Sequence, residues 1–146
     1  MYKIEKLINK LCFSLNMKEA SMIFWEKAQE VIKEMEAFAG NEPQLKEFRK
    51  VAGQLLFYAG ISAIEKVLSQ KMSIYVIGDH KKRGKAIADN LHLFKNGEKI
   101  KRYYYILTES EFDYRRKVAY KGENGSKFAL LKEFAELCLR EIGWTG

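Results

Sequence analysis

The chain has 146 residues, of which 47% are hydrophobic and 31% charged, a balance typical of one folded domain and not of a disordered chain. One proline and ten glycines are too few for the many turns of a sandwich or barrel, and the net charge is +7. The sequence shows neither a secretory signal nor an apolar run of membrane-spanning length, so we expect a cytoplasmic protein with no membrane partner.

The positive charge is concentrated in one part of the chain. Residues 1–70 hold ten Lys/Arg and nine Asp/Glu, whereas residues 80–121 hold twelve Lys/Arg and five Asp/Glu. The excess of seven in 80–121 equals the net charge of the whole chain. Such a concentration favours polyanions such as nucleic acid, and a solubilising surface is the alternative interpretation.

Two long helices are predicted in the first half. Residues 18–39 place apolar side chains at three- and four-residue steps, with charged residues on the other face. Residues 44–70 carry the longest apolar stripe, which is typical of a central helix. Small side chains on this helix should let its neighbours approach closely: Ala52, Gly53, Ala59, Gly60, Ser62 and Ala63. Segment 1–16 is a candidate for a further helix, packed outside the bundle or against a second subunit.

The second half begins with a less regular stretch. Residues 72–78 predict either a short strand or a buried connector. Asp79 is a suitable N-cap for a helix over 80–94, and a last helix over 126–142 begins with Ser126 as its cap. Cys12 and Cys138 lie among apolar neighbours without a CxxC pair, which predicts two buried reduced thiols.

Residues 98–121 allow two interpretations. Their apolar positions fit one long helix, which we favour because a lone pair of strands would be marginally stable. The competing interpretation makes 99–107 a strand and starts a helix at the capping-box pattern Thr108-x-x-Glu111. With the long helix, the chain is an all-α, up-and-down bundle of four or five helices in one domain, residues 1–146, with its core in 18–143.

The common catalytic motifs are absent from the sequence. His80 and His92 are the only histidines, and no HExxH or Cys/His cluster accompanies them, so neither a metal nor a cofactor is predicted. No glycine-rich phosphate loop and no Gly-x-Ser-x-Gly elbow is present. We expect His80 to be exposed in a first helical turn and His92 to be partly buried.

A basic and aromatic segment, FDYRRKVAYKG at 112–122, holds the remaining candidates. Arg116 and Tyr120 are four residues apart and share a helix face, while Arg115 meets Tyr120 only if the helix loosens. Guanidinium groups bind phosphate bidentately, and a tyrosine ring can stack on a base. The alternative is a basic C-terminal turn favoured by the helix dipole, with Tyr120 packed on the bundle.

The order of these elements resembles the HEPN superfamily (higher eukaryotes and prokaryotes nucleotide-binding) over residues 18–143. The resemblance rests on a helix rich in small residues (VAGQLLFYAGISAIEKVL), a short helix (DHKKRGKAIADNLHLF), an arginine-centred motif and a last helix (FALLKEFAELCLREI). Ribonuclease members carry Arg, four to six residues, and then His. This chain has Arg115, four residues, and then Tyr120, and Arg116 replaces the polar residue expected after the arginine.

The resemblance implies a binding module for RNA or a nucleotide, dimeric because family members pair with their motifs facing across a cleft. It implies binding more than catalysis, since tyrosine titrates near ~10 and is a poor substitute for imidazole near neutral pH. The catalytic candidates are Arg115 and Tyr120. The predicted phosphate-binding residues are His80, Lys81, Lys82, Arg83, Arg115, Arg116, Lys117, Tyr120 and Lys121. The alternatives are a metal-independent endoribonuclease of the toxin type and a structural partner of a minimal nucleotidyltransferase.

Overall fold

The computed structural model describes residues 17–72, 78–109 and 111–146, and in these ranges the chain forms α-helices and no strand. Two short 3₁₀ turns, Glu36–Phe38 and Leu91–Leu93, accompany the helices. The helices are α1 (Met17–Met35), α2 (Glu42–Met72), α3 (His80–Asp89), α4 (Gly97–Thr108), α5 (Tyr114–Ala119) and α6 (Ser126–Glu141). The predicted all-helical class is confirmed, while segment 1–16 and most of 72–78 lie outside the described residues.

Helix α2 is the centre of the bundle and packs against α1, α5 and α6. By length and composition its segment Glu42–Gln70 could cross a membrane, but 78% of the most apolar window is buried inside the fold, as in a core helix. At two of its glycines, side chains of α5 and α6 lie very close to the backbone of α2. A Cβ on Gly53 would lie 2.6 Å from Cγ1 of Val118, and one on Gly60 would lie 2.3 Å from Cε2 of Phe134. The prediction that small residues allow close packing is confirmed.

The predicted helix over 80–94 is shorter than expected. Asp79 is its N-cap as predicted, because its Oδ1 accepts the backbone N–H of Lys81 at 2.8 Å and of Lys82 at 3.0 Å. The α-helix ends at Asp89, and Asn90 donates its side-chain amide to the carbonyl of Ala86 at 2.8 Å. This side-chain bond competes with the helical backbone pattern and ends the helix one turn early.

The long helix predicted for 98–121 is wrong, because the chain turns between α4 and α5. The alternative is wrong as well. Residues 99–107 are helical, and Thr108 donates its Oγ1 back to the carbonyl of Tyr104 at 2.7 Å instead of capping a new helix. Asp113, in the left-handed region at φ 35°, starts α5 by accepting the N–H of Arg116 at 3.3 Å. Aspartate tolerates this conformation and caps helices well, so the break has a local cause.

The two ends of the last helix differ, and within the described chain only the C-terminal end is held by a side chain. Gly125, at φ 73°, occupies the N-cap position predicted for Ser126, which is instead the first helical residue. At the other end, the carboxylate of Glu141 accepts the backbone N–H of Lys95 at 2.7 Å and of Asn96 at 2.8 Å. Cys138 is fully buried, and burial raises the pKa of its thiol, as expected of a reduced core cysteine. Cys12 lies outside the described residues.

Candidate functional site

Arg115 lies on the buried face of α5 and is only 8% exposed. Its guanidinium carbon is 5.2 Å from the ring centroid of Phe57 on α2. Its Nε is buried without a hydrogen-bond partner in the described part of the chain. A buried donor of this kind is unfavourable unless an acceptor reaches it, so the arginine is suited to meet an anion.

The other two buried arginines have their charges balanced. Arg83 of α3 pairs with Glu65 of α2, with 2.8 Å between Nε and Oε1, and both side chains are buried. Arg49 donates its Nε to the carbonyl of Gly122 at 2.6 Å and pairs with Glu42. Among the described residues, Arg115 is therefore the buried arginine that lacks a carboxylate within ion-pair distance.

Arg83 also organises the side chains around it. Its Nη1 donates to the Tyr104 hydroxyl at 3.1 Å and lies 3.1 Å from Nδ1 of His80. Because a guanidinium only donates, Nδ1 of His80 is the acceptor and the ring proton belongs on Nε2. The Tyr104 hydroxyl in turn donates to the backbone carbonyl of His80 at 3.1 Å. We call Glu65, His80, Arg83, Tyr104 and Arg115 the polar cluster.

His80 is the member of the polar cluster nearest to solvent. The residue is exposed as predicted, but its ring packs edge-on against Phe57 at 5.7 Å between centroids. Burial of the ring, followed by the positive charges of Arg115 and Arg83, lowers the pKa of His80 from 6.5 to about 4. The imidazole is therefore neutral at neutral pH. His92 is exposed, so its predicted partial burial is wrong.

A groove of about 500 Å³ runs beside the polar cluster between α3 and α4. Its cations outnumber its carboxylates four to two, and His80, Tyr104 and Tyr105 contribute rings. The charged residues lining this α3–α4 groove are Lys81, Lys85, Lys101, Arg102, Glu98 and Glu109. A second hollow of about 280 Å³ shares His80 and Lys81 with the groove and extends to Arg116 of α5. A phosphate would meet mainly positive charge in the α3–α4 groove.

The structure brings together some of the predicted site residues and separates others. His80, Arg83 and Arg115 share the polar cluster, although Arg83 is already paired with Glu65. Tyr120 is 42% exposed at the end of α5, whereas Arg115 faces the core, so the two catalytic candidates do not form a common site. The remaining predicted cations are exposed or half-buried on the surface: Lys81, Lys82, Arg116, Lys117 and Lys121.

Other members of the site were not predicted from the sequence. Phe57, Glu65 and Tyr104 lie on helices whose apolar pattern predicts only core packing, and the groove adds Lys85, Lys101, Arg102 and Tyr105. One signal for the cluster was available. Glu65 follows Ile61 by four residues and precedes Leu68 by three, so it is an acid within an apolar stripe, which indicates a buried cationic partner.

The part of the chain that the structure describes contains no cluster of side chains suited to bind a metal ion. No group of three or more His, Cys, Asp or Glu side chains there could hold a metal ion. No protein-family model, curated protein or solved structure matches the chain. The polar cluster and the α3–α4 groove are therefore the features on which a function can be argued.

Proposed function

We propose that this protein is a HEPN-like module that binds RNA or a nucleotide at the α3–α4 groove and the adjoining polar cluster, as a homodimer and without cleaving its ligand. The observation that carries this proposal is Arg115, buried with its Nε unpartnered near His80, which lines a groove whose cations outnumber its carboxylates. Its charge lies close enough to His80, which lines the groove, to lower the pKa of that histidine. A phosphate oxygen would supply the acceptor that Arg115 lacks.

Binding is favoured over cleavage because of two properties of the groups that could transfer protons, the pKa of His80 and the position of Tyr120. A general base works best with a pKa near the operating pH, and His80 at about 4 is well below neutral pH. Tyr120, which replaces the histidine of the ribonuclease motif, is exposed and apart from Arg115. Of these two candidates, therefore, neither is both near Arg115 and suited to accept a proton at neutral pH.

The test is binding of a fluorescently labelled RNA, followed by anisotropy over a range of salt concentrations. We expect Lys101→Ala, in the groove, to weaken binding and to reduce the salt slope by about one. The matched control is Lys33→Ala, which removes one exposed lysine from α1 and should change neither value. The double variant Arg115→Ala/Arg116→Ala should bind more weakly still.

Since Arg115 is buried, circular dichroism should establish that the double variant is folded before its binding is interpreted. If that variant does not fold, Lys101→Ala/Arg116→Ala, which changes exposed residues only, replaces it. Unchanged, salt-dependent RNA binding in the folded double variant and in Lys101→Ala would refute the proposal.

An endoribonuclease is the second candidate, and one observation favours it. His80 brings an imidazole to the neighbourhood of Arg115, although the sequence motif itself lacks a histidine. If the protein cleaved RNA in EDTA and His80→Ala abolished the cleavage, this candidate would replace the non-catalytic one. Partnership with a minimal nucleotidyltransferase stays a prediction from the resemblance.

A further inference from the structure

Three aromatic side chains continue from the α3–α4 groove across the turn to α5. Tyr105 and Phe112 have ring centroids 6.1 Å apart at 63°, and Phe112 and Tyr114 are 6.4 Å apart at 87°. We call Tyr105, Phe112 and Tyr114 the aromatic row. Because Phe112 meets Tyr105 edge-on, it does not lie flat on the tyrosine ring, and Tyr105 is 50% exposed.

Cations stand at both ends of the aromatic row. The Nζ atoms of Lys117 and Lys127 each lie 5.5 Å from the ring centroid of Tyr114. At the other end, Lys101 and Arg102 line the α3–α4 groove together with Tyr105. An exposed ring between two groups of cations is the arrangement by which proteins hold single strands, with bases on the rings and phosphates on the lysines.

The two tyrosines that precede Tyr105 on α4 are both engaged within the fold. Three tyrosines follow one another in α4. Tyr103 donates its hydroxyl to Glu133 of α6 at 2.9 Å, and Tyr104 is buried in the polar cluster. Tyr105 lies outside the core, half-exposed at the groove. A half-exposed aromatic ring beside the cations of the groove is open to stacking by a base.

We infer that the aromatic row makes this protein a reader of unpaired RNA, with a base stacked on Tyr105 and the flanking phosphates on the groove cations and on Lys117 and Lys127. The inference rests on the proposed function and adds the substrate class. A duplex keeps its base faces inside the helix, so it offers the protein only its backbone and groove edges. Cations alone would bind both forms of RNA, and the exposed ring is what distinguishes them.

The experiment compares one labelled RNA of twelve nucleotides, alone and annealed to its complement, by anisotropy at fixed salt. We expect the single strand to bind more tightly than the duplex. Tyr105→Leu should weaken single-strand binding by about 5- to 150-fold, the usual loss for one stacked base, and should leave duplex binding unchanged. Tyr105→Phe keeps the ring and should bind like the wild type.

The control variant is Tyr103→Leu, the same substitution two positions away on the side of α4 that faces Glu133. It should bind the single strand like the wild type. Equal binding of single strand and duplex, or an unchanged affinity in Tyr105→Leu, would overturn the inference and leave the proposed function standing. Binding of neither RNA would overturn both the inference and RNA binding as the proposed function.

Discussion

Replacing Gly60 by alanine tests the packing that places the bundle around α2. The new Cβ would lie 2.3 Å from Cε2 and 2.7 Å from Cδ2 of Phe134 on α6. Carbon atoms at optimal separation are ~3.5–4.0 Å apart, so the overlap exceeds about 1 Å. Phe134 is fully buried and stacks on Phe57 at 6.0 Å, which leaves its ring little room to move.

The expected cost follows from two opposing effects. Overpacking a core costs about 1–3 kcal/mol, and the greater helix propensity of alanine offsets about 1 kcal/mol of that. Since a rigid ring is the obstacle, we expect a net loss of about 1–2 kcal/mol in the free energy of unfolding. For a domain of this size that lowers the melting temperature by about 2–4 °C per kcal/mol.

Gly84→Ala is the matched control, because Gly84 is also inside a helix. Its nearest side-chain atom, Cε1 of Tyr104, would be 3.4 Å from the new Cβ, an ordinary contact. The propensity gain should then appear almost undiminished, a stabilisation of up to about 1 kcal/mol. Urea unfolding followed by circular dichroism measures both variants. If Gly60→Ala were as stable as Gly84→Ala, the close approach of α6 to α2 would be refuted.

Two further predictions concern pH and the anchoring of α6. The pKa of His80 is lowered from 6.5 to about 4 in the folded protein, so its contribution to stability is full above pH 6.5 and is lost as the pH falls toward 4. Between pH 7.5 and 5, we expect the free energy of unfolding, measured in urea, to fall by about 1 kcal/mol more in the wild type than in His80→Gln. The difference is this small because the residue is exposed. Equal losses in the two proteins would contradict this prediction. Glu141→Leu should destabilise the protein by about 1–2 kcal/mol, because the backbone N–H groups of Lys95 and Asn96 lose their acceptor. The control Glu30→Leu changes an exposed residue of α1 and should have little effect. Equal melting temperatures for the two variants would argue against the anchoring of α6 by Glu141.

The helices were predictable where a residue pattern acts locally. Apolar periodicity identified α1, α2 and α6, and Asp79 correctly marked the start of α3. The early end of α3 at Asn90 and the break before Asp113 depend on single side-chain bonds to the backbone. Such side-chain bonds change the free energy of continuing a helix by only a small amount, and the periodicity of apolar residues does not reveal them.

The candidate site was only partly predictable, for a different reason. The basic stretch 80–121 indicated where cations concentrate, but a sequence gives no sign of which charges are neutralised by the fold. Arg83 looked like a surface cation beside Lys81 and Lys82, yet it is buried against Glu65, eighteen positions away on another helix. Long-range pairing of this kind is decided by tertiary packing alone.

Arg115 and Arg116 follow the turn between α4 and α5 and have different surroundings, because adjacent positions of a helix face different directions. Within α5, Arg115 shares the buried face with Val118 and Ala119, so its guanidinium meets Phe57 and the polar cluster. Arg116, one position on, is exposed beside the second hollow. The same turn carries Phe112 toward Tyr105 and so joins the aromatic row to the α3–α4 groove. The turn that ends at Asp113 therefore brings Phe112 to Tyr105 and places Asp113 and Arg116 at the second hollow, beside His80 and Lys81.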